Sequence, residues 1–88
     1  MKYKMKPLYP TIVDAAWWTG NIEDIPRIAA LRHDVRPRID AHRDGTITIH
    51  TPARTVVVQP RDWVIRNSAD EWHACKPDIF EMTYEVAE

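Results

Sequence analysis

The chain of 88 residues is poor in several residue types on which common kinds of site depend. Its single cysteine, Cys75, cannot form a disulfide within the chain, so a reducing cytoplasm is the expected setting. Two glycines, Gly20 and Gly45, are too few for a glycine-rich loop that cradles phosphate. No apolar run could span a bilayer, and the N-terminus lacks the apolar segment of a secretory signal. We therefore expect a cytoplasmic protein with no membrane partner.

The composition favours one small folded domain. The chain is 44% hydrophobic with four tryptophans, which is enough for a single core, and 28% charged, which suits a soluble surface. A disordered chain would have fewer large apolar residues and a larger net charge. We predict one domain over residues 1–88, with a basic and mobile N-terminal segment over residues 1–10.

Charges are distributed unevenly along the chain, although the net charge is only −1. Residues 27–66 contain eight arginines and four aspartates, whereas residues 70–88 contain six acids and one lysine. This asymmetry predicts either a basic face and an acidic face, or an acidic C-terminal strand that lies beside the basic segments so that the charges cancel.

One segment has the pattern of a helix, and it follows an apolar strand. The strand is predicted over residues 11–18, TIVDAAWW, and is followed by the breaker Thr-Gly-Asn. Apolar residues at three- and four-residue spacing predict a helix over residues 22–33, with Asn21 as its N-cap. Pro26 removes a backbone hydrogen bond from such a helix, so the helix is either kinked or starts later, at Asp24.

The remaining chain alternates with the period of β-strands. Arg-Asp-Gly at residues 43–45 predicts a hairpin whose second arm directs Ile47 and Ile49 to one side. Four further strands and one helical turn are predicted, the strands at 55–59, 63–66, 72–75 and 83–87 and the turn at 77–80. The order β-α-β-β-β-β-β-β predicts an α+β domain, a small curled antiparallel sheet or open barrel of about six strands with one covering helix.

Three stretches resemble motifs of small proteins encoded by bacteriophages and prophages. They are Trp-Thr-Gly at residues 18–20, Pro-Arg-Asp at 60–62, and CKPDIFEMTYE at 75–85, with Lys-Pro at residues 6–7 matching a basic N-terminal segment. Two departures stand out. Arg61 occupies the position of a glycine in the turn, which puts a tight glycine turn in doubt, and residues 8–10 form an insertion. The resemblance implies a phage origin and a host-cytoplasmic setting, and it implies no activity.

The histidines do not form a recognisable metal site. His33, His42, His50 and His73 are scattered, and none has the close spacing of a zinc ligand set. His42 and His50 can face each other across the hairpin, but two unsupported ligands rarely hold a metal. We expect neither a metal nor a cofactor.

His73 and Cys75 are the only pair that suggests nucleophilic catalysis. On one strand both side chains point to the same face, which permits a thiolate beside an imidazole. The sequence offers no oxyanion site and no third orienting group, and a free cysteine is commonly a buried small apolar residue. We therefore expect a protein that is not an enzyme.

Tryptophans and arginines are the strongest candidates for binding. Adjacent tryptophans on a strand point to opposite faces, so we predict that one of Trp17 and Trp18 is in the core and the other is exposed. An exposed tryptophan is a typical contact residue for a partner protein. The candidate binding residues are Trp17, Trp18, Arg61, Trp63, Arg66 and Trp72.

Three functions are consistent with these residues. The first is a non-enzymatic phage accessory protein that binds and modulates or inhibits a host protein, for example in counter-defence. The alternative is a homo-oligomeric sponge that sequesters a nucleotide signal, with Arg61 and Arg66 holding phosphate and Trp63 stacking on the base. A nucleic-acid-binding module is less well supported, because the sequence pI of about 6.4 and the acidic C-terminal region lack the usual basic footprint.

The segment HACKPDIFEMTYE, residues 73–85, has the pattern of a structural clasp. Pro77 suits the first position of a helical turn, and Asp78 can cap the backbone donors there. We predict that Ile79 and Phe80 enter the core and that Met82 and Tyr84 share one face of the closing strand.

Overall fold

The computed structural model describes residues 2–5, 12–32 and 36–87 of the protein. Eight strands and two α-helices are found in these residues: β1 Lys2–Met5, β2 Ile12–Trp17, α1 Ile25–Ala29, β3 Arg38–Ala41, β4 Ile47–His50, β5 Thr55–Val58, β6 Trp63–Arg66, β7 Trp72–Cys75, α2 Pro77–Thr83 and β8 Tyr84–Val86. No helix of the described residues is long and apolar enough to cross a membrane.

The strands form two antiparallel sheets. The larger has the order β7-β6-β2-β1-β8 and the smaller the order β3-β4-β5. In the larger sheet, Ala15 lies opposite Ile65 and Ala16 lies opposite Val64. All four side chains are buried although neighbours in a strand point to opposite faces, so this part of the sheet is covered on both sides.

One face of the larger sheet packs against the smaller sheet and α1. Its core contains Trp18, Val64 and Trp72 from the larger sheet, with Ile47 and Ile49 from β4. Ile47 and Ile49 are completely buried, which confirms the predicted alternation of the second hairpin arm. The hairpin itself is also confirmed, with Arg38 opposite His50 and Ala41 opposite Ile47.

The opposite face of the larger sheet is covered by α2. Phe80 of this helix packs with Val13, Ala15 and Ile65 in a second core. Ile79 and Met82 are exposed, so the prediction that Ile79 enters the core was wrong. Met82 belongs to α2 and not to the closing strand, so the prediction that it shares a strand face with Tyr84 was also wrong. The physical reason is that residues 77–83 form a helix, in which neighbouring side chains diverge and only Phe80 meets the sheet.

The helix predicted over residues 22–33 is shorter in the structure, and a 3-10 turn precedes it. Asn21 accepts a hydrogen bond from the N–H of Glu23 and caps a 3-10 turn, Ile22–Asp24, after which α1 begins at Ile25. Pro26 therefore lies in the first turn of α1, where its missing N–H costs no helical hydrogen bond. The carboxylate of Asp24 accepts hydrogen bonds from the N–H and hydroxyl of Thr19, at 2.9 and 2.5 Å, and ties α1 to the Trp-Thr-Gly motif.

Both glycines lie against Pro60. Gly45 has a φ of +90° in the hairpin turn, and an added Cβ there would lie 2.9 Å from Cγ of Pro60. Gly20 has a φ of +101° and its Cβ would lie 3.7 Å from Cβ of Pro60. The Trp-Thr-Gly segment, the hairpin turn and the Pro-Arg-Asp turn therefore pack together at one end of the molecule.

The prediction of an antiparallel α+β domain is confirmed, but its finer details differ. The strands form two open sheets, not a single sheet or barrel, and α2 is a second helix of seven residues where one turn was expected. The strand β1 was not predicted, because three lysines in the N-terminal segment suggested a solvated tail. Residues 1 and 6–10, including Lys6-Pro7 and the insertion at residues 8–10, lie outside the described residues.

Opposite charges lie side by side. This is the arrangement in which the acidic C-terminal strand lies beside basic segments. β8 pairs with β1, and Lys4 Nζ lies 3.8 Å from the Glu85 carboxylate. Lys2 contacts Asp14 at 2.7 Å, and Lys76 contacts Asp62 at 3.4 Å. Of these pairs, Lys4–Glu85 joins the acidic C-terminal strand to the basic N-terminal strand, and the other two neutralise lysines by aspartates elsewhere in the chain.

Candidate functional site

Four aromatic side chains form a continuous row on the α2 face of the larger sheet. Trp17 stacks on Trp63 with ring centroids 6.2 Å apart, and Trp63 stacks on Phe80 at 4.0 Å. Phe80 in turn stacks on Tyr84 at 5.1 Å. We call Trp17, Trp63, Phe80 and Tyr84 the aromatic row. It runs from the buried core under α2 to a tryptophan at the surface, because Phe80 is buried and Trp17 is 41% exposed.

The exposed end of the aromatic row borders a notch of about 190 Å³, lined in part by Tyr3, Ala15, Trp17, Arg27 and Trp63. The notch lies beside the N-terminal end of β1, where Lys2 pairs with Asp14, and no described residue of β1 pairs with Trp17. The small side chain of Ala15 leaves room between the larger rings.

At Trp17, beside the notch, the backbone N–H of β2 faces away from its partner strand β6. The N–H of Trp18 donates to the carbonyl of Asp62 at 3.0 Å, so the neighbouring N–H of Trp17 points away from β6. The notch therefore combines an apolar hollow with the edge of a strand, a geometry that suits an incoming extended segment.

Arg61 holds the exposed tryptophan from a strained turn. Its carbonyl accepts a hydrogen bond from Nε1 of Trp17 at 2.7 Å, and its N–H donates to the carbonyl of Trp18 at 2.7 Å. Arg61 has a φ of +76° in the position where the resembling motif has glycine. The Pro-Arg-Asp turn therefore forms although arginine replaces glycine there. Arg61 thus has two features: its backbone carbonyl anchors Trp17, and its guanidinium is exposed.

We expect Arg61→Gly to raise the free energy of unfolding by about 0.5–1 kcal/mol. A non-glycine residue at this φ costs about 1–2 kcal/mol, and the greater freedom of glycine in the unfolded chain returns part of that. Urea unfolding measures the change. Arg61→Ala is the matched control, because it removes the guanidinium but keeps the Cβ; equal stabilisation by both variants would show that the strain is not the cause.

The structure divides the six predicted binding residues. Trp17, Trp63 and Arg61 lie together at the aromatic row. Trp18 and Trp72 are buried in the core between the sheets, at 1% and 3% exposure, and only an edge of Trp72 reaches a surface pocket. Arg66 lies on the face of β6 opposite Trp63, because three positions along a strand reverse the side chain. Arg61, Trp63 and Arg66 therefore do not converge on one nucleotide.

Arg66 belongs to an ion-pair cluster around Asp70. The Asp70 carboxylate accepts from Nε of Arg66 and from Nη1 of Arg32, both at 2.6 Å, and from Nε1 of Trp72 at 3.2 Å. Hydrogen bonding by Arg66, aided by Trp72 and the charge of Arg32, lowers the pKa of Asp70 below its ordinary value of 3.8. This cluster joins the segment that follows α1 to β6 and β7.

We expect Asp70→Asn to destabilise the protein near neutral pH by about 1–3 kcal/mol, the usual range for hydrogen bonds to charged groups. Asparagine tolerates the positive φ of 59° at this position, so the backbone is not the cause. Because the folded-state pKa is depressed, the stabilisation is present above the ordinary pKa and is lost as pH falls through the folded value. The difference from wild type should therefore narrow below about pH 4 in urea unfolding; a constant difference would contradict the ion-pair account.

His73 and Cys75 share a face of β7 as predicted, but their environments oppose nucleophilic chemistry. Burial, with the charges of Asp62 and Asp78, raises the pKa of Cys75. Burial also lowers the pKa of His73, with a contribution from the charge of Arg54. Both side chains are therefore neutral near pH 7, whereas an activated pair would be a thiolate beside an imidazolium.

We expect Cys75 to react with iodoacetamide near neutral pH more slowly than a free cysteine thiol, because the raised pKa reduces its thiolate fraction and the side chain is half-buried. Mass spectrometry of the alkylated protein over time gives the rate. A reaction faster than that of N-acetylcysteine would reopen an enzymatic role.

The hairpin histidines bind neighbours on their own sheet. Nε2 of His42 lies 2.7 Å from the hydroxyl of Thr48, and Nε2 of His50 lies 2.8 Å from the carboxylate of Asp40. Among residues 2–5, 12–32 and 36–87, no group of three or more metal-ligating side chains is found. His33 lies outside these residues.

A second pocket, of about 250 Å³, was not predicted from the sequence as a site. It is lined in part by Arg32, Arg36, Arg38 and His50, and we call it the arginine pocket. Arg36 and Arg38 flank Pro37 at the start of β3, and β3–β4 pairing brings His50 opposite Arg38. The Arg-Pro-Arg run was a signal in the sequence, but the contribution of Arg32 depends on how α1 packs.

None of the protein-family models, curated proteins or solved structures compared with this chain matches it.

Proposed function

We propose that this protein is a small, non-catalytic accessory protein that binds and modulates a host protein in the cytoplasm. The observation that carries the proposal is the exposed Trp17 beside the notch at the edge of β2. Tryptophan and arginine dominate the binding energy of protein interfaces, and here Trp17 lies beside Arg27 and Arg61. The phage setting comes from the resemblance of the Trp-Thr-Gly, Pro-Arg-Asp and C-terminal motifs.

The other exposed apolar residues are weaker candidates. Ile12, Ile22, Val57 and Val86 are exposed on separate elements, as is normal on a protein surface. Ile79 and Met82 are exposed one turn apart on α2, but neither lines a described pocket or belongs to the aromatic row. Trp17 differs because its ring stacks on Trp63 and its Nε1 is bound to Arg61, so it is already held in one position. A pre-positioned anchor loses little conformational freedom on binding.

The geometry of the notch favours an extended segment of the partner. A cavity of about 150 Å³ can hold a benzene ring, so the notch of about 190 Å³ has room for one large apolar side chain. The outward backbone of Trp17 can pair with an added strand, and acidic residues of that strand would meet Arg61. Arg27 is already paired with Asp24 at 2.9 Å and would add a weaker attraction. The expected ligand is an extended peptide that combines one apolar anchor with acidic neighbours.

A displayed library of random peptides tests this proposal and does not require the partner to be identified. We expect selection on the wild-type protein to enrich apolar-and-acidic extended peptides, and Trp17→Ala to weaken their binding by about 30-fold or more, the effect of a hot-spot residue. Met82→Ala is the matched control, because Met82 is 79% exposed on α2, away from the notch.

Thermal unfolding of both variants keeps the result interpretable, and Trp17→Phe, which preserves a stacked ring, serves if the alanine variant does not fold. Binding that is unchanged in the Trp17 variants, or lost equally in Met82→Ala, would overturn the proposal.

A further inference from the structure

The arginine pocket has a cationic rim that the proposed function does not use. Arg38 Nε donates to the Asp40 carboxylate at 3.2 Å, and Arg32 Nη1 donates to Asp70 at 2.6 Å. These two arginines are thus held in place and partly neutralised by aspartates. Arg36 is exposed and also lines the pocket, so the rim presents three guanidinium groups.

The remaining wall of the arginine pocket is apolar. Pro37, Pro52 and an edge of the buried Trp72 contribute to it. Pro37 directly precedes β3 and Pro52 follows β4 by two residues, and the pairing of Arg38 with His50 brings these two strand ends together. A pocket with one apolar wall and a guanidinium rim suits a ligand that has an apolar ring and a compact anionic group.

Phosphate is the anionic group that this rim fits best. Guanidinium groups present planar forks of N–H donors that match phosphate oxygens, and several of them can bind one phosphate together. Nε of Arg38 contacts Asp40, and the Arg38 side chain is 76% exposed, so its terminal amino groups are accessible to a ligand. His50 adds a ring nitrogen close by, although its Nε2 contacts Asp40.

We propose that the arginine pocket binds a phosphorylated small molecule of mononucleotide size. Its volume of about 250 Å³ lies just below the range of roughly 300–1,000 Å³ typical of small-molecule sites, so it encloses a mononucleotide only in part. The phosphate contacts Arg36 and Arg38 at the rim, and the ring contacts the proline wall. This site is separate from the Trp17 notch, and it contains none of Arg61, Trp63 and Arg66.

Calorimetric titration with the four ribonucleoside 5′-monophosphates tests the proposal, with inorganic phosphate and adenosine as partial ligands. We expect at least one mononucleotide to bind more tightly than either partial ligand. Arg36→Ala should weaken that binding about tenfold or more, because a hydrogen-bonded charge pair is lost, and Arg36→Lys should weaken it less.

Arg43→Ala is the matched control, since Arg43 is an exposed arginine in the hairpin turn and outside the pocket. It should change the affinity by less than about twofold, as expected of a distant surface charge.

Three results would overturn the proposal. The first is no binding of any mononucleotide at millimolar concentration. The second is an equal loss in Arg36→Ala and Arg43→Ala, which would indicate diffuse charge attraction. The third is adenosine binding as tightly as its monophosphate, which would show that phosphate is not recognised. None of these results depends on the Trp17 notch, so the two proposals fail independently.

Discussion

Phe80→Ala is expected to lower the free energy of unfolding by about 3–5 kcal/mol, the usual cost of removing a buried aromatic ring. Phe80 is 3% exposed and is the residue through which α2 covers the larger sheet. Its ring contacts Trp63, Tyr84 and Tyr3, so the substitution leaves a cavity in the middle of the aromatic row. The total stability of a folded domain is about 5–15 kcal/mol, so the substitution removes a large fraction of it.

Urea unfolding at low temperature measures this loss, and Ile79→Ala is the matched control on the same helix. Ile79 is 53% exposed, so its substitution should cost less than about 1 kcal/mol. Similar losses in the two variants would show that α2 does not close the fold through Phe80. A stable Phe80→Ala protein would contradict the interpretation of residues 73–85 as a clasp.

Trp18→Ala is expected to destabilise the protein by about 3–5 kcal/mol, whereas Trp17→Ala should cost about 1–2 kcal/mol. Trp18 is 1% exposed in the core between the sheets, and its Nε1 donates to the carbonyl of Gly45 at 2.9 Å. Its removal leaves a large cavity and deprives the hairpin turn of that bond. Trp17 loses only one stacked contact and one hydrogen bond at the surface.

Each tryptophan variant is the control for the other, because the same substitution to alanine is made at two adjacent positions at the end of β2. Thermal and urea unfolding of both variants should separate their effects on stability clearly. If the two variants lost equal stability, the assignment of Trp17 to the surface and Trp18 to the core would be wrong.

The local pattern of the sequence predicted those features that depend on neighbouring residues. Strand alternation was enough to place Trp17 and Trp18 on opposite faces and Ile47 and Ile49 in the core. The glycine of the hairpin turn and the proline at the start of α2 also marked their elements correctly. Each of these features is determined by residues close together in the sequence, so predicting it does not require knowing how the sheets pack.

Features that depend on distant contacts could not be predicted in the same way. β1 is a strand because β2 and β8 pair with its two edges, and its lysines match Asp14 and Glu85 only after that pairing. The arginine pocket likewise requires Arg32 to meet residues of the β3–β4 hairpin across the molecule. By contrast, the separation of Trp63 from Arg66 followed from alternation along β6 and could have been predicted.

The aromatic row connects stability with the proposed binding function. Trp17 is held by Trp63, and Trp63 is held by Phe80. Because Trp63 holds the Trp17 ring in place, the exposed edge of that ring has one orientation. This reduces the conformational entropy that Trp17 loses when a partner binds. The clasp formed by α2 therefore also positions the candidate contact residue.

Site-specific photo-crosslinking in host bacterial cells tests the central claim most directly. A photoreactive amino acid at position 61, beside Trp17, should form a crosslink to a discrete host protein, and Trp17→Ala in the same chain should abolish it. The same amino acid at position 57, which is exposed on the smaller sheet, should not give that crosslink. A crosslink of equal yield from both positions, or one that survives Trp17→Ala in a folded protein, would contradict a partner-binding surface at Trp17.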